Sequence, residues 1–173
     1  MATTRVIGAL VGRGGGCVGW GELRGFCRRG GWDGGGIVQP SAVAGGGRWL
    51  GAAWNGNDPQ RFANLYVKDG SRYTDHAFNR TYTGRDGMAK WFSNTKYFVQ
   101  NAKIEVTSAF VSCDDVSISW TFSGHLANAS KPFSVPVLTA LRMRGHEILT
   151  NDDFYNLRDV LLQSGLPTDT DFG

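Results

Sequence analysis

The chain predicts an α+β domain in which helices come first, antiparallel strands follow, and the helices pack on one face of a curved sheet. Three observations lead there. Helix-type spacing and capping signals occupy the stretch from Arg48 to about Thr95. Period-two alternation then takes over and runs to Tyr155, with connections of hairpin length. A single helical pattern closes the chain.

Trp49 to Trp54 reads as a short helix ended by Asn55-Gly56. Asp58-Pro59 supplies the N-cap and first-turn pair of a second helix, expected to run through Tyr66 and to end at Lys68-Asp69-Gly70. Ser71 to Phe78 is expected to be a strand. Gly84-Arg85-Asp86 then opens a helix with Met88, Trp91, Phe92 and Thr95 on one face. Ile104, Val106, Ser108 and Phe110 share one strand parity. Val116, Ile118, Trp120 and Phe122 do so more cleanly, set against Ser117, Ser119, Thr121 and Ser123. Cys113-Asp114-Asp115 is the hairpin turn between these runs. A strand over Phe133 to Arg144 turns at Gly145-His146 into a last strand, Glu147 to Tyr155. Leu157, Val160, Leu161 and Ser164 fall at helical spacing, and Gly165-Leu166-Pro167 stops that helix.

Composition divides the chain. Residues 1–47 hold 16 of the 25 glycines and five arginines against Glu22 and Asp33, whereas residues 48–173 carry 13 basic and 13 acidic side chains. Runs such as Gly14-Gly15-Gly16, Gly34-Gly35-Gly36 and Gly45-Gly46-Gly47 lose much backbone entropy on folding and bring no side chains to a core. Residues 1–47 are therefore expected to be a disordered extension, residues 48–167 the folded domain and residues 168–173 a tail. Two origins of the extension stay open: an organelle transit segment, or translated non-coding sequence ahead of the true start. The net charge of +3 lies wholly in this extension, so no basic stripe in the folded part points to nucleic acid. The sequence has no run of apolar residues long enough to span a membrane. A cytoplasmic location is expected, with organelle import by the extension left open.

Several motifs carry no chemistry. Gly14-Gly15-Gly16-Cys17-Val18-Gly19 fits the dinucleotide fingerprint, but neither a helix pattern nor repeated βα units follow it. Cys17, Cys27 and Cys113 lack metal-site spacing and are expected to be reduced thiols. His76, His125 and His146 are scattered, without zinc spacing. No cofactor or metal is expected.

The stretch Ile148 to Leu157 is chemically suggestive, because it sets Asp153 among apolar and aromatic neighbours. Burial there raises a carboxyl pKa and tunes the group for proton transfer near neutral pH.

Over residues 48–167 the chain resembles the SnoaL-like proteins of the nuclear-transport-factor-two-like superfamily. The matching pieces, in order, are Ala53-Trp54-Asn55-Gly56-Asn57-Asp58, Tyr73-Thr74-Asp75-His76-Ala77-Phe78 and Gly84-Arg85-Asp86-Gly87. Phe133-Ser134-Val135-Pro136, Asp153-Phe154-Tyr155-Asn156-Leu157 and Leu162 to Pro167 follow. Two positions depart from the family pattern: Asn156 stands where an acid is commoner, and Gly45-Gly46-Gly47 cuts the first helix short.

The resemblance implies a cone-shaped fold with a deep apolar pocket, frequent homodimerisation and cofactor-free acid/base chemistry on a hydrophobic small molecule. It places Asp153 as general acid or base and matches Tyr73 and Asp75 to the polar pair of the first strand, with Asp75 as the complementary carboxyl. His76, beside Asp75 but one residue off its parity, and His125, at a strand end, are further catalytic candidates. Trp54, Phe92, Trp120, Tyr155 and Asn151 are the expected pocket residues. A cyclase or isomerase of polyketide or terpenoid biosynthesis is the leading expectation. An epoxide hydrolase is an alternative, weakened because no Arg-x-Asp pair occurs within Val116 to His125. A non-catalytic binding or dimerisation module is the other.

Overall fold

A computed structural model describes residues 48–170. The expectations for residues 1–47, a disordered extension with Cys17 and Cys27 reduced, and for 171–173 lie outside the described residues. The elements are α1 (Arg48–Asn55), α2 (Pro59–Ala63), β1 (Arg72–Asp75), β2 (Arg80–Thr83) and α3 (Gly84–Phe98), then β3 (Val99–Ser112), β4 (Asp115–Leu126), β5 (Phe133–Arg144), β6 (Glu147–Phe154) and α4 (Leu157–Ser164). The strands form one open, curved sheet in the order β2-β1-β6-β5-β4-β3. All neighbours are antiparallel except β1 and β6, which run parallel. This is the α+β class that the sequence predicts.

In α1 the buried Leu50, Ala53 and Trp54 form one stripe. The amide of Asn55, just past Trp54, then docks on the backbone of β3. It donates from Nδ2 to the Ile104 carbonyl at 2.9 Å and accepts from the Ile104 N–H at 2.8 Å. Asp58 caps α2 through the N–H groups of Gln60 and Arg61. That helix is shorter than expected. The chain leaves it at Asn64 so that Tyr66 can bridge Ile148 beside β6, with Val67 N–H on the Ile148 carbonyl and Ile148 N–H on the Leu65 carbonyl. Pairing with the sheet thus overrides local helix propensity.

The first strand is shorter too. Asp75 turns the chain by accepting from the N–H groups of Ala77 and Phe78, and β2 returns alongside β1, a hairpin the sequence reading missed. In β3 the register slips between Val106 and Ser108, so Ala109 faces the core and Phe110, expected to share the parity of the buried Ile104, is exposed. Cys113 lies in the following turn, at φ 55°. The alternations of β4 and β5 hold: Val116, Ile118, Trp120 and Phe122 are buried, as are Phe133, Val135, Val137, Leu141 and Met143. Val160, Leu161 and Ser164 bury the inner face of α4, which Gly165 ends at φ 74°.

An aromatic cluster joins helices to sheet, with Trp54 at 5.4 Å from Phe122 and 6.3 Å from Phe92, and Phe62 stacked on Phe92 at 5.1 Å. Gly124 lets β3 approach β4 there. A Cβ at this position would collide with Val99 Cγ1 and sit 3.2 Å from the Gln100 carbonyl oxygen. Gly124→Ala is accordingly expected to destabilise the fold by about 1–3 kcal/mol, read by urea unfolding.

Candidate active site

β6 and its two neighbours assemble the site. Asp75 and Asp153 are register partners across the parallel β1–β6 pair, so both point to the same sheet face on strands about 4.8 Å apart. Thr139 is the partner of Asp153 on β5, and Asn151 lies two residues earlier on the same face of β6. Asp153 is 5% exposed and Asp75 6%. Burial of this degree is stable only when the carboxylate finds donors.

Asp153 has three. The Tyr73 hydroxyl donates to Oδ2 at 2.7 Å, the Thr139 hydroxyl to Oδ1 at 2.5 Å and Asn151 Nδ2 to Oδ1 at 2.8 Å. Two of these donors are themselves oriented from behind. Trp120 Nε1 donates to Thr139 Oγ1 at 2.7 Å, and the Tyr66 hydroxyl donates to Asn151 Oδ1 at 3.0 Å. The hydrogens of five side chains are thus aligned toward one carboxylate, an arrangement that favours its charged form. Burial opposes them and prevails: desolvation pushes the Asp153 pKa up to about 6, against the lowering effect of Thr139, Tyr73 and Asn151, with the Asp75 charge adding a smaller rise.

Asp75 is raised for the same chief reason, burial, and is held down by the Phe78 N–H, the Tyr155 hydroxyl and the Ala77 N–H. Tyr155 donates to Asp75 Oδ2 at 3.0 Å. Desolvation and the nearby carboxylates raise Tyr66, Tyr73 and Tyr155 well above the ordinary phenol value, so all three keep their protons at neutral pH.

These groups open onto a cavity of about 130 Å³. Trp54, Trp91, Trp120, Phe122 and Phe133 form its apolar wall, and Tyr73, Asp75, Asp153 and Tyr155 its polar one. Arg80, Asn94 and Phe98 also line it and are solvent-exposed, which places its mouth between β2 and α3. Lys96 lies 4.4 Å over the Trp54 ring and donates to the Ala102 carbonyl. The buried Trp54 Nε1 has no hydrogen-bond partner among the described residues.

Six of the ten expected site residues therefore line one cavity: Asp153, Asp75, Tyr73, Trp54, Trp120 and Tyr155. The placement of the other four corrects the expectation. His76 is exposed on the far side of the sheet, 3.0 Å from Asp152 and stacked on Phe154 at 4.3 Å. It is one residue out of phase with Asp75. His125 keeps the parity of the serines on β4 and lines a separate cleft with Gln100, Ser123 and Pro132. Phe92 is packed into the core against Phe62 and Trp54. Asn151 stands behind Asp153 and orients it without lining the cavity. Sequence reasoning missed Thr139 and Tyr66. Thr139 carried a usable signal, a lone hydroxyl in the buried parity of β5; Tyr66 carried none, because its place depends on the bridge to Ile148.

An open sheet whose concave face and helices enclose a cavity with buried carboxyls defines the α+β class of the nuclear-transport-factor-two-like superfamily. Within it, the SnoaL-like domain model matches residues 47–150, and the chain belongs to that family. A protein of ketosteroid-isomerase-like fold from Catenulispora acidiphila, solved in complex with trimethylamine, is 39% identical with a TM-score of 0.70, over 72% of this chain and 95% of that one. A candidate SnoaL-like polyketide cyclase from Jannaschia is 16% identical with a TM-score of 0.62, over 79% and 99%. A phenazine biosynthesis-related protein from Pseudomonas aeruginosa is 13% identical with a TM-score of 0.60, over 73% and 86%. The last two likenesses concern fold alone. Among curated proteins nothing matches. No described helix is long and apolar enough to cross a membrane.

Proposed function

We propose that this protein is an acid/base enzyme that works without a cofactor on a hydrophobic small molecule, as a cyclase or isomerase of polyketide or terpenoid biosynthesis. The observation that carries the proposal is Asp153, a buried carboxyl on the wall of an apolar cavity whose pKa is pushed up to about 6. A base with that pKa is mostly ionised at pH 7 and still basic enough to take a proton from carbon, which is the compromise general-base catalysis requires. In the proposed step Asp153 removes a proton α to a carbonyl, the C–H electron pair passes into the enolate, and the enolate oxygen accepts a hydrogen bond. Tyr155 lines the same cavity and keeps its proton, and by turning that O–H from Asp75 Oδ2 to the enolate oxygen it becomes the donor in this scheme. Return of the proton to a different carbon completes an isomerisation, and attack of the enolate carbon on a second carbonyl, whose alkoxide oxygen takes the proton back from Asp153, completes a cyclisation. His76 and His125 have no part in this scheme.

The cavity volume bounds the substrate. About 130 Å³ is close to the roughly 150 Å³ that holds a benzene ring, so one ring or one end of a larger apolar body enters while the remainder occupies the mouth. Self-association belongs to the same proposal, supported by Leu138 and Phe154, which are 45% and 44% exposed on the other face of the sheet.

The test is turnover on a panel of aromatic polyketide esters and polyene epoxides in heavy-oxygen water, read by mass spectrometry. Product isomeric with substrate and unlabelled is expected. Product with an added labelled oxygen would make the protein a hydrolase instead. A binding module is the second reading, and one observation favours it: all three hydrogen bonds of Asp153 come from the protein itself. Tight binding of panel members without any turnover would select it.

A further inference from the structure

We infer that the mouth of the cavity is an anion subsite, in which Arg80 holds the carboxylate of an amphipathic substrate whose apolar body enters the cavity. This rests on the small-molecule reading above and names the substrate class more narrowly. Arg80 is the antiparallel partner of Asp75 and so projects from the same face of the edge strand β2. It is exposed, lines the cavity, and makes no hydrogen bond or ion pair with any described residue. Arg72, Arg85 and Arg142 are engaged with Asp152, Glu147 and Asp115, and of the arginines left unpaired among the described residues Arg80 is the one that lines the cavity. The neighbouring carboxyl does not take up Arg80 either, because Asp75 is already satisfied by the N–H groups of Ala77 and Phe78 and the Tyr155 hydroxyl. A planar fork of donors is therefore left facing the opening.

Charge fixes which way an acid would enter. Two buried carboxyls stand on the polar wall of the cavity, so an anionic head placed there meets like charge in a poorly solvated site. The apolar end must lead, which leaves the head at the mouth beside Arg80. Asn94 of α3, also exposed and without a partner among the described residues, lines the same opening and offers an amide donor.

Binding of 2-naphthoate and of its uncharged counterpart 2-naphthamide to the full chain tests the inference. The readout is quenching of tryptophan fluorescence, since Trp54, Trp91 and Trp120 line the cavity. The acid is expected to bind about tenfold more tightly than the amide, as a charge-assisted pair at a partly exposed site allows. Arg80→Gln is expected to remove that preference while leaving naphthamide affinity within about twofold, which also shows that the variant is folded. Equal affinity for acid and amide in the wild type, or a preference that survives Arg80→Gln, would overturn the subsite and leave the small-molecule reading standing. Binding of neither compound would overturn both.

Discussion

Replacement of Asp153 by asparagine is expected to lower turnover on the order of 10³-fold and, at the same time, to stabilise the fold at neutral pH. The first effect follows from its proposed place as the general base. The second follows from its burial. Desolvation lifts the Asp153 pKa from 3.8 to about 6. Between those two values the native state binds more protons than the unfolded chain, so the contribution of this group to stability falls as pH rises through that window. At pH 7 the cost of keeping the buried group ionised is on the order of 3 kcal/mol. An asparagine side chain carries no charge and keeps an oxygen for the Thr139 hydroxyl, so Asp153→Asn should unfold at higher urea than the wild type at pH 7.5. The gain should shrink as pH falls toward 4 and vanish once the wild-type carboxyl is protonated. A variant that is both slower and more stable is the signature of a strained functional group, whereas a structural acid would give a less stable protein. In the wild type, kcat/KM should fall about tenfold per pH unit below about 6 as the base is protonated.

Thr139→Val should destabilise the protein by about 2–3 kcal/mol and move the acid limb of the pH profile to higher pH. Valine keeps the branched shape that suits a strand, so the change isolates the hydroxyl. That hydroxyl does two things. It is the largest hydrogen-bond contribution holding the Asp153 pKa down, and it accepts from Trp120 Nε1. Its removal leaves a buried indole N–H without an acceptor and takes a donor from a buried carboxylate. Urea unfolding measures the first loss and the pH dependence of kcat/KM the second. An unchanged profile in a destabilised variant would mean that Thr139 only supports packing.

The strands that position this site were legible because they are long and buried on one side. Phe133–Arg144 matches its expected bounds, and the parity of Val116 through Phe122 places Trp120 toward the cavity. Tyr73 and Asp75, two residues apart on β1, share a face, whereas His76, expected as a catalytic candidate, is one residue out of phase and falls on the other. Short or interrupted pieces were not legible. β2 is four residues, Arg-Thr-Tyr-Thr, with no apolar alternation to announce it, and it is this strand that brings Arg80 and Tyr82 to the cavity. The bulge in β3 reverses parity after Val106, which period-two reasoning cannot anticipate. The second ring of the site was hidden for another reason. Tyr66 and Asn151 meet across 85 positions of sequence, and only the bridge between Tyr66 and Ile148 brings them together.

The most direct test of Asp153 as the base is deuterium uptake by a carbon acid in heavy water, because it reads proton transfer without requiring the natural substrate. Wild-type protein and Asp153→Asn would each be incubated with a small aryl 1,3-diketone, and exchange at its α-carbon followed by NMR across pD. Exchange accelerated by the wild type, lost in the variant and declining below an apparent pKa near 6 is the predicted result. Exchange no faster than buffer, or equally fast with Asp153→Asn, would contradict the assignment.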